Sequence, residues 1–266
     1  MLRTLSRLAG KESGMLHWDK RVGKFFYLQN RIIPHASSDP EDQPRIAAID
    51  PGIANFVAYC HYSPNDASFG RVHGFRWTIK RRLKRIDAAN RAIVKLQQRN
   101  ESIVNGVPRY SYRRRRARFR LRKMWRHLHN LIRHQHYKIA KYLFSKYSVL
   151  LIPVLGVPRM VKWTSRSLRK PTVRELLALS HGMFLQRLKA RAAVYSPTLG
   201  TPKRVIVTTE YRTSETCGYC GRRNRLLSLR DRTWTCGSRY FHGCGAELDR
   251  DINGARNIWL QYYGSI

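Results

Sequence analysis

Thr208-Thr-Glu-Tyr-Arg-Thr-Ser-Glu-Thr-Cys-Gly-Tyr-Cys-Gly221, followed by Cys236, Cys244 and Asp249-Arg-Asp-Ile-Asn-Gly-Ala-Arg-Asn-Ile258, is the stretch that decides the fold. It sets a four-cysteine cluster between acidic positions, Glu210 before it and Asp251 after it. A third acid stands far upstream, in Ile46-Ala-Ala-Ile-Asp-Pro-Gly52. Cys217-Gly-Tyr-Cys220 is a knuckle whose two thiolates reach one ion, and Cys236 and Cys244 complete a tetrahedral set. Four closed thiolate ligands imply one structural Zn²⁺ with no position open for catalysis. A redox dithiol is the alternative for the first pair. The second pair is irregularly spaced, which keeps His242 in play as a substitute for Cys244.

Working outward, Ile46–Ile49 is an apolar run suited to a buried strand, stopped by Asp50-Pro51-Gly52, so Asp50 stands at a strand end. Asn55–Tyr59 resumes as a second strand and Arg71–Trp77 as a third. Val149–Ile152 and Val205–Thr209 are further strands. From Ile79 the apolar period lengthens to that of a helix: Ile79, Leu83, Ile86 and Ile93 form one stripe. Beyond Asn105-Gly-Val-Pro108, Leu121, Met124, Leu128, Leu131, Ile139 and Tyr142 form another, which predicts two long helices in a hairpin. A helix over Val173–Val194, with a stripe through Leu176, Leu177, Ser180, Phe184 and Leu188, and a closing helix over Asp251–Tyr262 complete an α/β plan.

The charge names a class of partner. Lys and Arg total 52 against 16 acids, a formal net charge of +36, and such self-repulsion calls for a polyanion. A basic membrane-surface protein is the rival, but no apolar run approaches the roughly 18 residues a span needs, and the arginines interleave with Tyr, Trp and Phe, rings that stack on bases. Residues 109–126 hold nine arginines and one lysine with no acid. Arg113, Arg114, Arg115, Arg116, Arg118, Arg120 and Arg122 are candidate phosphate ligands, and Trp125, with Tyr110, Tyr112 and Phe119, offers a face for a base. A solvated basic surface is the plainer alternative. Five cysteines in 266 residues, four of them at metal-like spacing, point to a reducing compartment. That places the protein inside a cell: the nucleus for a eukaryotic or viral source, the cytoplasm for a prokaryotic one. Met1–Gly10 is Arg- and Ser-bearing without acids, as organelle presequences are, but the whole chain shares that composition.

Each acid has a plain use of its own: Asp50 as a turn former, Glu210 as an exposed strand end, Asp251 as a helix N-cap. Together, at the ends of strands and a helix in a basic chain, they are what two-metal phosphodiester cleavage needs, oxygen ligands that fix two Mg²⁺ ions.

At Asp50, Thr213–Gly221 and Asp249–Asn257 the chain resembles the TnpB transposon-associated nucleases and, more closely, their eukaryotic and viral relatives, the Fanzor proteins. The resemblance runs from about residue 24 to the C-terminus. It implies an RNase H-like (RuvC) mixed sheet with an inserted basic helical hairpin and an inserted zinc ribbon, and RNA-guided DNA endonuclease activity with a guide RNA and a target DNA as partners. By position Asp50 matches the first RuvC acid and Asp251 the last, with Asp249 its neighbour. The middle acid departs from the TnpB pattern, where a Glu follows a strand like Leu150–Ile152; here Pro153 stands in that place. Fanzor-like proteins often move this Glu to the strand before the knuckle, and Glu210 fits that position, ahead of Glu215.

The resemblance divides the chain into 1–44 (remnant of a wedge-like barrel and linker), 45–78 and 148–210 (the RuvC parts), 79–147 (basic helical insertion), 211–247 (zinc ribbon) and 248–266 (RuvC C-terminal helix). Family members usually carry a longer N-terminal half, of which only Lys24–Ile33 matches the tail. Either the chain is a fragment or a trimmed paralogue, or its guide RNA supplies what the protein lacks; the rival to a nuclease is a catalytically silent relative that binds RNA and DNA.

Overall fold

The computed structural model describes residues 14–19, 24–29, 44–63, 66–72, 75–99, 102–104, 107–109, 111–162, 168–198, 202–228, 230–237 and 242–264. Met1–Gly10 and the segment 34–43 lie outside these. A hairpin of β1 (Gly14–Asp19) and β2 (Lys24–Gln29) comes first. The sheet that organises the rest contains β3 (Ile46–Pro51), β4 (Val57–Ser63), β5 (Asp66–Arg71), β8 (Val149–Pro153) and β9 (Arg204–Thr208), in the spatial order β5-β4-β3-β8-β9. The three strands of the first half pair antiparallel, while β3, β8 and β9 run parallel. Between the halves come α1 (Phe75–Arg99), a small hairpin of β6 (Ser102–Val104) and β7 (Val107–Arg109), and α2 (Tyr112–Lys146). After β8 follow α3 (Val157–Val161), α4 (Lys170–Leu179) and α5 (His181–Thr198). The chain closes with the paired β10 (Thr233–Thr235) and β11 (Glu247–Asp249), then α6 (Arg250–Tyr263).

Period-two alternation assigns the two faces of the sheet. Ala47 and Ile49 of β3 and Leu150 and Ile152 of β8 join the large core under α1, α2 and α5, with Leu128, Leu143, Phe144, Phe184 and Leu188. Ala48, Val149 and Leu151 point the other way and meet Ile258 of α6, with Trp259 and Tyr262 packed around them. The stripe Ile79, Leu83, Ile86 and Ile93 is buried. On α2 the buried line is Leu128, Ile132, His136, Ile139, Ala140, Leu143 and Phe144, and Tyr142 is exposed. Leu121, Met124 and Leu131 of the expected stripe pack partly buried against the same core, so only Tyr142 leaves that face. Ser111 caps α2, its side chain accepting a hydrogen bond from Arg114 N at 3.3 Å.

Two expected elements differ. Arg71–Trp77 is not a strand: β5 ends at Arg71 and α1 starts at Phe75, whose ring meets Phe56 edge-on. The helix expected over Val173–Val194 is two helices, because Ser180 takes a left-handed conformation (φ 54°) that ends α4 and starts α5. Within α4, Leu177 is exposed while Leu176 is buried. No helix among the described residues is long and apolar enough to cross a membrane.

Candidate active site and metal centre

Parallel pairing decides where the acids go. Asp50 lies near the C-terminal end of β3, and β8 and β9 run the same way, so Glu210, two residues beyond Thr208, emerges at the same sheet edge. α6 starts at that edge and presents Asp251 in its first turn. All three carboxylates line one cleft of about 1070 Å³. Pro153 stays buried in β8, paired with Thr208, and offers no ligand atom.

Asp249, rather than Asp251, is the N-cap of α6: its carboxylate accepts from Asp251 N at 3.1 Å and Ile252 N at 3.0 Å, and it pairs with Arg71. That frees the Asp251 side chain for the cleft. Asn55 Nδ2 donates to Asp251 Oδ2 at 2.5 Å, and Arg232 lies 3.4 Å from Oδ1. Gly254 sits one turn along α6, where a Cβ would overlap Asp50 Oδ2. The glycine of the Asp-x-Asn-Gly pattern is what lets the β3 acid come up against the helix.

Burial, reinforced by the charges of Asp251 and Glu210, pushes the Asp50 carboxyl up to about 8 against the pull of Arg250. Burial also raises Glu210. A buried carboxyl raised by two neighbouring acids fits a site completed by divalent cations, and an all-carboxylate donor set suits Mg²⁺ or Mn²⁺. The turn after Asp50 is closed by Gly52 N donating to Phe56 O at 3.2 Å. The Phe56 ring is stacked between His136 and His181, with centroids at 5.1 and 4.9 Å. Burial pulls these imidazoles down to about 3 and about 4, so both are neutral at pH 7 and the stack carries no charge beneath the acids.

The cysteines form a second centre. Cys217, Cys220, Cys236 and Cys244 bring their Sγ atoms within 4.8 Å of one another, and Cys244, not His242, completes the group. Cys217 and Cys244 are 3.7 Å apart, Cys220 and Cys236 3.5 Å. A disulfide would need about 2.05 Å, while a tetrahedron with Zn–S bonds of about 2.3 Å has edges of ~3.8 Å, so the set fits zinc. A hydrogen bond from the Arg222 backbone pulls the Cys220 thiol down to about 7, while burial pushes Cys236 up to about 12; a bound cation reconciles four thiolates in one place.

On α2 the arginines divide. Arg113, Arg115, Arg116, Arg120 and Arg122 are exposed, and Arg118 is partly buried. Arg114 is only 3 % exposed, because it falls on the inward face with Leu121 and Leu128. Trp125 packs partly buried against the core under Arg174, 5.7 Å from its ring, and is no open stacking face; exposed Tyr112 and Phe119 fill that description better. Sequence reasoning missed a second basic group: Arg76, Arg159, Arg212, Arg230, Arg232 and Arg250 line the acidic cleft. They come from separate segments and left no local signal.

A mixed sheet with three antiparallel and two parallel strands, acids gathered at one edge and a helical insertion between its halves, defines a mixed α/β fold. Residues 181–258 match the family profile "Cas12f1-like, TNB domain". TnpB-like protein L79 of Acanthamoeba polyphaga mimivirus is 29% identical over 245 residues, covering 91% of this chain and 42% of that protein. A Streptomyces pristinaespiralis protein, named as a candidate RNA-guided DNA endonuclease, is 43% identical over 54 residues, 20% of this chain and 12% of that one. Among solved structures, the cryo-EM structure of the Cas12f1–sgRNA–target DNA complex contains a chain of similar fold, with a TM-score of 0.53 and 16% identity, covering 88% of this chain and 52% of that one. Over most of its length the chain is similar to TnpB-like proteins. It spans less than half the length of the curated mimivirus relatives it matches, 45% and 42% for two of them.

Proposed function

We propose that this chain is a transposon-associated, RNA-guided DNA endonuclease of RuvC type, in which Asp50, Glu210 and Asp251 hold two Mg²⁺ ions. The observation that carries the reading is the convergence of these acids, from three separate elements, in one cleft lined by arginines. When bound, the ions would activate water and stabilise the leaving oxygen of a phosphodiester. The chain's own residues do the rest. Asn55 orients Asp251, Gly254 admits Asp50, and the cleft arginines offset the charge of a phosphate backbone beside three acids. The Cys217–Cys244 unit is a zinc ribbon closed onto α6. Pro153 and Glu210 together favour a Fanzor-like arrangement of the middle acid. In the solved Cas12f1 complex a chain of this fold is assembled with sgRNA and target DNA. The same partners fit here, with pairing choosing the sequence and the protein holding the backbone. Nicking of a guide-matched DNA by the purified chain in Mg²⁺ but not in EDTA tests the proposal; salt-sensitive binding with no cut in either would contradict it and leave a silent binding protein.

Arg113, Arg116 and Arg120 follow one exposed side of α2 at helical spacing. Each phosphate contact contributes about 0.9 to the slope of log K against log salt. Replacing all three by alanine is expected to flatten that slope by about 2 to 3 in filter binding, with the fold unchanged.

Gly254→Ala separates stability from chemistry. Alanine is the better helix former by about 1 kcal/mol. The new Cβ, however, displaces the Asp50 carboxylate, a misplacement that costs ~100-fold in rate. Circular dichroism is expected to show an intact fold and single-turnover kinetics a slow enzyme.

The raised Asp50 carboxyl gives a pH signature. Without metal the folded chain holds this proton up to about pH 8, whereas an unfolded one releases it near 3.8. The folded state therefore binds more protons across that window, and the contribution of Asp50 to stability falls as pH rises through it. Asp50→Asn removes the loss. In metal-free buffer its thermal midpoint, relative to wild type, is expected to climb between pH 5 and 8.

A further inference from the structure

Glu210 stands outside the sheet. The ladder of β9 ends at Thr208, paired with Pro153, and Glu210 lies in the irregular stretch that follows. Something other than strand pairing must fix this acid against Asp50 and Asp251. A buried polar network ties its loop to α6. Thr213 is 3 % exposed, Asn253 2 % and Asn257 5 %. Thr213 N and Oγ1 both donate to Glu210 O, at 3.4 and 3.3 Å. Asn257 Nδ2 donates to Thr213 O and to Thr216 O, each at 2.7 Å. Asn253 Nδ2 donates to Thr216 O at 2.7 Å and reaches Thr213 O at 3.5 Å, while its Oδ1 accepts from Gly218 N at 2.9 Å.

Resting on the nuclease reading above, we infer that Asn253, Asn257 and Thr213 are positioning residues that set Glu210 against the other two acids and couple the cysteine knuckle to the same helix. Asn253 and Asn257 are one helical turn apart on α6, just beyond Asp251, so they hold two carbonyls of the 213–216 turn from one rigid face. An amide is the required group. Each side chain must donate to buried carbonyls, and Asn253 must also accept from the knuckle, which an apolar or carboxylate side chain cannot do. Losing Asn257 leaves Thr216 O with one donor in place of two and Thr213 O with only the 3.5 Å approach of Asn253, so the hold on the turn loosens. The Asp-x-Asn-Gly-x-x-Asn pattern thus carries three separate tasks: an acid for the cleft, a gap for Asp50, and two clips for the Glu210 loop.

The test is Mn²⁺ binding by the zinc-loaded full chain, read by electron paramagnetic resonance and independent of turnover. Asn257→Ala and Thr213→Val are expected to weaken binding about tenfold or more, the usual cost of losing a group that orients a metal ligand. Thr213→Ser, which keeps the hydroxyl, is expected to restore it, and zinc content is expected to stay at wild-type level. In a double-mutant cycle with Glu210→Gln, the Asn257→Ala effect is expected to vanish, since the acid it positions is gone. Unchanged Mn²⁺ affinity, or effects that simply add to Glu210→Gln, would overturn the inference. If Asn257→Ala does not fold, the Val and Ser variants at Thr213 decide it in the same way. Wild-type Mn²⁺ binding that neither Asp50→Ala nor Glu210→Gln weakens would instead sink the nuclease reading, and this inference with it.

Discussion

Asp50→Ala is expected to lower Mg²⁺-dependent cleavage at least about a thousandfold while nucleic-acid affinity stays within about twofold of wild type. The size follows from its place among the acids. Asp50 is central, on β3, the middle strand of the sheet, and it feels both Asp251 and Glu210. Deleting it removes the carboxylate on which both neighbours act. Affinity is spared because the exposed arginines of α2 and those of the cleft do not depend on Asp50 for their charge. Single-turnover cleavage beside a binding isotherm separates the two effects. A parallel fall in both would mean that Asp50 supports the fold instead of the chemistry.

Stripping the cysteine knot is expected to have the largest effect on structure. The apolar core of the cysteine unit is small among the described residues, Cys217, Trp234, Cys236 and Leu248, and two of those four belong to the four-cysteine set. A unit with so little buried surface depends on its ion; structural zinc contributes about 10–16 kcal/mol in small thiolate domains. Cys236→Ser, or chelation with a strong competitor, is expected to abolish hydrogen-exchange protection from Thr213 to Leu248 and to reduce cleavage with it, because Glu210 enters that loop and Arg232 reaches Asp251 from it. Protection in β3, β4 and β8 is expected to survive, since these strands lie in separate cores. Elemental analysis should give one zinc per chain before treatment. Ribbon protection that persists in a zinc-free chain would show that the knot is not held by metal.

Much of this was legible in the sequence, for reasons that can be named. β3, β8 and β9 are short apolar runs ended by breakers or polar residues, so Asp50 and Glu210 could be placed near strand ends without knowing the strand order. The cysteine spacing identified the knot because its residues are few and close. What stayed hidden depends on contacts across distance. Asp249 and Asp251 look alike as caps, and only the Arg71 pairing and the backbone geometry show which one turns outward. Arg114 lies in a run of four arginines, and its burial is set by the phase of a helix whose inner face is fixed some fourteen residues further on, at Leu128. The left-handed Ser180 that splits α4 from α5 has no breaker beside it. The cleft arginines come from α1, α3, the loops around the ribbon and the first residue of α6, so nothing in any one segment announces them.

The central claim is that Asp50, Glu210 and Asp251 form one divalent-cation centre. Anomalous diffraction from a crystal soaked in Mn²⁺ measures this directly. Two peaks about 4 Å apart, bonded to those three carboxylates, are the expected result. Manganese bound elsewhere, or peaks that leave Glu210 without a bond, would contradict it.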